Sequence, residues 1–140
     1  MSADDRQVAG THYIAEYQHW DYVIDGELDY FAAQVTKYII RWRKKNGLQD
    51  LEKALHFWEK YREEVHNGRV LLPCYRYPTL DRHTAVSRLV AGHSMLSRVE
   101  RTLLVLLVDI RTADDVDLIF DRLGDFVTAI RKDTMCFSGQ

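Results

Sequence analysis

Residues 28–65 read LDYFAAQVTKYIIRWRKKNGLQDLEKALHFWEKYREEV, and this stretch decides the fold. Leu28, Phe31, Ala32, Val35, Tyr38, Ile39 and Trp42 recur at steps of three and four, which places them on one buried face of a helix. Asn46-Gly47 ends that helix, because glycine adopts the left-handed capping conformation at little steric cost. A second helix restarts near Asp50 with Leu51, Ala54, Leu55, Trp58, Tyr61 and Val65 on one stripe, and Asn67-Gly68 stops it in the same way. The spacing predicts a helical hairpin with a short link.

Outward from the hairpin, the helical period continues. A short helix is expected near residues 18–23, and residues 70–79, which hold both prolines, read as a connector. Thr79 or Asp81 is placed to cap a long helix carrying Val86, Leu89, Val90, His93, Leu96, Val99, Leu103, Leu106 and Ile110, with Gly92 as a bend. Thr112 and Asp115 form a capping-box pattern ahead of Val116, Ile119, Phe120, Leu123, Phe126, Val127 and Ile130. No period-2 alternation is sustained. The expected fold is all-α, a helical bundle of two hairpins with four main helices plus a short N-terminal helix. Its expected parts are a flexible N-terminus over residues 1–11, a hairpin over 12–67, a connector over 68–80 and a second hairpin over 81–140.

The 140 residues are 46% hydrophobic and 29% charged, which suits one globular core without staples. Cys74 and Cys136 are far apart and lack a CxxC or Cys/His context, so neither a disulfide framework nor structural zinc is indicated, and a reducing cytoplasm fits. The polar opening residues lack the basic and apolar regions of a signal peptide. The longest apolar run, Leu103 to Val108, is far shorter than the ~20 residues that span a bilayer. That run covers every face of its helix, so a homo-oligomer through the second hairpin is expected to cover it. A net charge of −2 gives no global attraction to extended nucleic acid, so any anion site must be local.

The local candidate is sharp. Residues 37–45 hold Lys37, Arg41, Arg43, Lys44 and Lys45 with no acid among them. Lys37, Arg41 and Lys44, at steps of four and three, share one helix face, where arginine forks and mobile lysines suit phosphate oxygens. The same run is also what a helix C-terminus favours through its macrodipole, and Asp50 or Glu52 can pair across the hairpin with Arg41 or Lys45.

Lys37-Tyr38-Ile39, Arg41, Lys44 or Lys45, Gly47, Asp50-Leu51 and Lys53-Ala54 resemble the KYIxR…K…DLxKA signature of the bacteriophage SaV-like (DUF3310) family, and His12-Tyr13 resembles the pair that opens its domain. The likeness spans residues 12 to about 61 and departs from the family at Ala33-Gln34, where members often have Gly-Asn. The family includes an early coliphage nucleotide kinase. The resemblance therefore implies a nucleotide ligand, held by Lys37, Arg41, Lys44, His12 and Tyr13, in the cytoplasm of an infected cell. Two mechanisms follow from it. A deoxynucleoside monophosphate kinase would need ATP and Mg2+, with Asp50 as the candidate metal ligand, although no GxxxxGK[ST] loop is present. A non-enzymatic sponge for cyclic-nucleotide alarm signals would need no cofactor. A third reading, a MazG-like pyrophosphohydrolase, rests on Glu59, Glu63 and Glu64.

Overall fold

Asp29 sets the first long helix: its carboxylate accepts the Ala32 N–H at 2.9 Å, satisfying one of the donors a helix start leaves open. In the computed structural model, which describes residues 16–138, this helix is preceded by a short one. The elements are α1 (His19–Asp25), α2 (Tyr30–Arg41), α3 (Leu48–His66), α4 (Thr79–Ala91), α5 (Arg98–Leu107) and α6 (Ala113–Ser138). All of the regular structure among the described residues is helical, and no helix is long and apolar enough to cross a membrane.

The predicted first hairpin is present as α2 packed on α3. Gly47 (φ 59°) and Gly68 (φ 75°) take the positive φ that favours glycine at these two stops. On α3, Leu51, Ala54, Trp58 and Tyr61 are wholly buried, and the Trp58 indole donates to the Val116 carbonyl of α6 at 3.0 Å. α3 is thus packed between α2 and α6.

The second half differs from the expected plan. The helix read from residue 79 or 81 through 110 is two helices, so six elements stand where four main helices and one short one were expected. Gly92 and His93 tighten the end of α4 through N–H bonds to Leu89 and Val90 carbonyls at 3.1 and 3.0 Å. Ser97 and Glu100 then restart α5 with a reciprocal capping box. α4 packs on α1 and α5, while α5 packs on α6 and α2, so the second unit is not a simple hairpin. α4 starts after Pro78 with no side-chain cap, so neither Thr79 nor Asp81 caps it. The Thr112–Asp115 box ahead of α6 does form: Asp115 Oδ2 accepts the Thr112 N–H at 3.0 Å, and Thr112 Oγ1 accepts the Asp115 N–H at 3.2 Å.

The apolar run on α5 is covered from within. Leu103, Leu104, Leu107 and Val108 are buried against the other helices of the same chain. A homo-oligomer is not needed to cover them, because splitting the long helix lets α5 pack into the core instead of lying outside it. Tyr22 of α1 donates to the Leu104 carbonyl at 2.9 Å, and the one apolar core draws on all six helices. Arg82 is also buried, at 3% exposure. It stacks on Tyr75 and donates to the carbonyls of Tyr77 and Val108 and to Asp109, which ties the connector to the end of α5.

Candidate functional site

The basic block does not stay on one helix face. α2 ends at Arg41, and residues 42–47 form consecutive turns in which Lys44 N–H donates to the Arg41 carbonyl at 2.9 Å. Lys44 and Lys45 therefore leave the α2 surface, and the expected Lys37–Arg41–Lys44 row divides. Lys37 and Arg41 flank the buried ring of Tyr38, each with its charge 4.9 Å from the ring centroid, while that ring stacks on Phe57.

Arg41 also faces Asp50, with Nε 3.5 Å from Oδ2. The Asp50 carboxylate is wholly buried and accepts from the Asn46 amide at 3.2 Å and the Asn46 backbone N–H at 3.4 Å. In the first turn of α3 it meets the positive end of the helix dipole. These contacts give Asp50 a role in closing the α2–α3 turn. Among the described residues no group of three or more His, Cys, Asp or Glu side chains is placed to hold a metal ion.

Arg43 turns the other way, toward α5. Its guanidinium grips both oxygens of Glu100, one of them at 2.7 Å, and its face lies 4.4 Å from the Trp42 ring. Glu100 is fully buried and also accepts from Ser97 Oγ at 2.9 Å and from Trp42 Nε1 at 3.3 Å. This knot fastens the α2–α3 turn to the break between α4 and α5. Between them lies a crevice of about 140 Å³ lined by Ile40, Arg43, Lys44 and residues 92–96.

Among the described residues the crevice lining carries Arg43, Lys44, His93 and Ser94 and no carboxylate. Lys44 is exposed and has no ion-pair partner among the described residues. The backbone N–H groups of Ser94 and Met95 donate to no group of the described chain. Burial and the charge of Lys44 hold the His93 imidazole below its ordinary pKa, so it is neutral at pH 7. His19 is nearby in electrostatic terms: burial, then the charges of Lys37 and His93, push its pKa down to about 4. His19 Nε2 lies 2.7 Å from Thr36 Oγ1. The Thr36 hydroxyl spends its own hydrogen on the Ala33 carbonyl at 3.1 Å, so Nε2 of His19 is the donor.

Three other crevices are larger but mix charges. One of about 260 Å³ is lined by Asp25, Asp81 and Arg88, one of about 310 Å³ by Glu16 and Arg88, and one of about 380 Å³ by Arg62, Glu63 and His66. Each has a carboxylate in its own lining beside its cation.

Of the residues expected from sequence, Lys44 alone lines the cationic crevice, while Lys37 and Arg41 stand around Tyr38 and Asp50 lies beneath Arg41. His12 and Tyr13 lie outside the described residues. Glu59 and Glu63 are exposed, and Glu64 is held by Lys60 at 3.3 Å and Arg69 at 2.8 Å, so the three glutamates form no common site. The sequence reading missed Arg43, Ser94 and the exposed part of His93, which it assigned to packing. The Ser97-x-x-Glu100 box was the signal that could have exposed them, because it marks a helix start just after them. No family model, characterised protein or solved structure matches the chain.

Proposed function

We propose that this protein binds phosphate-bearing metabolites, nucleotides foremost, at the crevice between the α2–α3 turn and the α4–α5 break, and holds them without converting them. The observation that carries this reading is a crevice lined by Arg43, Lys44 and His93 in which Lys44 has no carboxylate partner among the described residues, while Arg43, held by Glu100, fixes the wall beside it. Ser94 and the open Ser94 and Met95 N–H groups add donors suited to phosphate oxygens. The resemblance of residues 12–61 to the SaV-like family narrows phosphate-bearing ligands to nucleotides, and with it come a bacteriophage origin and an infected-cell location.

Size argues for sequestration over transfer. At about 140 Å³ the crevice is smaller than the ~300–1,000 Å³ of sites that enclose a whole drug-sized ligand, so it takes a phosphate and leaves sugar and base on the rim beside exposed Met95. A kinase must hold two nucleotides and a magnesium ion together, and the acid preferred for that ion, Asp50, is engaged by Arg41 and Asn46.

The test is calorimetric titration of the purified protein with adenosine monophosphate, followed by incubation with ATP, magnesium and deoxynucleoside monophosphates. Saturable binding that K44E abolishes, with nucleotides recovered unchanged, supports the reading. Undiminished binding by folded K44E contradicts the site, and diphosphate products contradict sequestration.

A further inference from the structure

The crevice described above also carries a histidine whose surroundings change when an anion enters. His93 lines it together with Lys44, which sits on the facing turn. The charged and titratable groups around His93 come from several elements. Lys44 and Arg43 face it from the α2–α3 turn, and His19 of α1 couples to it electrostatically and to Lys37 of α2. Glu100 of α5 has both oxygens occupied by Arg43. Among the described residues, then, no carboxylate lines the empty crevice to stabilise an imidazolium; Glu16 belongs to the neighbouring crevice that shares Gly92.

We infer, resting on the anion-binding reading, that the crevice takes the terminal group of a phosphomonoester between the Lys44 ammonium and the His93 ring, and that His93 binds a proton as the phosphate enters. The chemistry follows from charge. A phosphomonoester brings about −1.5 to −2 at pH 7, enough to answer Lys44 and still stabilise a second cation beside it. A phosphodiester or cyclic phosphate brings a single charge, which Lys44 alone neutralises. The volume fits one phosphate group with its three free oxygens, which can meet Lys44, protonated His93 and the open donors at Ser94 and Met95. His93 in the empty protein is held neutral by burial and by Lys44, so the proton must come from solvent on binding. The site thereby distinguishes monoesters from diesters by charge, and its affinity depends on pH.

The sign of the proton exchange makes the inference testable. A phosphate with a second pKa near 6 that binds to fixed cations releases protons, whereas protonation of a histidine on binding takes them up. The experiment is calorimetry at pH 7 in two phosphate-free buffers of low and high ionisation enthalpy, with adenosine 5′-monophosphate and adenosine 3′,5′-cyclic monophosphate as probes. Wild-type protein is expected to take up about half a proton per monophosphate bound, and to bind it about tenfold tighter than the cyclic ester. H93Q, checked by circular dichroism for an unchanged helical signal, is expected to bind the monophosphate without proton uptake. Net release in the wild type, unchanged uptake in H93Q, or equal affinity for the two esters overturns this inference while leaving anion binding in place. No heat with either probe, from folded wild-type protein, overturns the binding reading and this inference with it.

Discussion

Removing Arg43 tests the knot that builds one wall of the crevice. In R43A the Glu100 carboxylate stays fully buried and loses its fork of two N–H donors. Breaking a buried ion pair by deleting one partner typically costs about 3–5 kcal/mol. Two features reduce that here: the Arg43 side chain is 27% exposed, and Glu100 keeps the Ser97 hydroxyl at 2.9 Å and the Trp42 indole at 3.3 Å. The expected loss is about 2–3 kcal/mol. For a domain of this size that lowers Tm by roughly 7–10 °C. Urea unfolding followed by circular dichroism at 222 nm should show a lower midpoint with an unchanged slope. The double variant R43M/E100Q should recover most of the loss, because glutamine keeps the capping box with Ser97 while the unpaired charge is gone. A stability of R43A within about 0.5 kcal/mol of wild type, or a double variant no better than R43A, would refute the account of this wall.

Two glycine substitutions should move stability in opposite directions in the same unfolding assay. A Cβ at Gly26 meets the Tyr22 carbonyl at 2.8 Å, Leu28 Cδ1 at 2.6 Å and Val108 Cγ1 at 2.9 Å, so G26A should cost about 1–3 kcal/mol. G124A, inside α6 with nothing within 4 Å, should gain about 0.5–1 kcal/mol. Stability should also fall in mild acid through His19: its folded pKa of about 4 lies below the ordinary ~6.5, so the unfolded chain binds the proton first and stability drops as pH falls from 6.5 toward 4. The loss is up to about 3 kcal/mol, and H19Q should remove that part of the pH dependence in unfolding curves taken from pH 7 to pH 4.

The parts of the fold that were legible in the sequence are those written by local contacts. The α2 and α3 stripes, the glycine stops at 47 and 68, and the Thr112–Asp115 box each involve residues within a few positions of one another. The break between α4 and α5 was hidden because Leu96, Val99 and Leu103 continue the helical spacing straight across it. The candidate site was legible only as a basic block. Where each cation points depends on partners far along the chain, above all Glu100, which lies 57 positions beyond Arg43 and draws it across the turn. Buried carboxylates such as Asp50 and Glu100 read as surface charges in a sequence, since only the folded chain brings Arg41 and Arg43 to them.

We propose above all that the break between α4 and α5 and the turn after α2 together form an anion site. Its most direct test is a titration of the 15N-labelled protein with inorganic phosphate, followed by amide chemical shifts. Saturable shifts centred on Ser94 and Met95, lost in K44E, are expected. Shifts spread over unrelated basic surfaces, or centred on the Lys37–Tyr38–Arg41 face with Ser94 and Met95 unmoved, would contradict it.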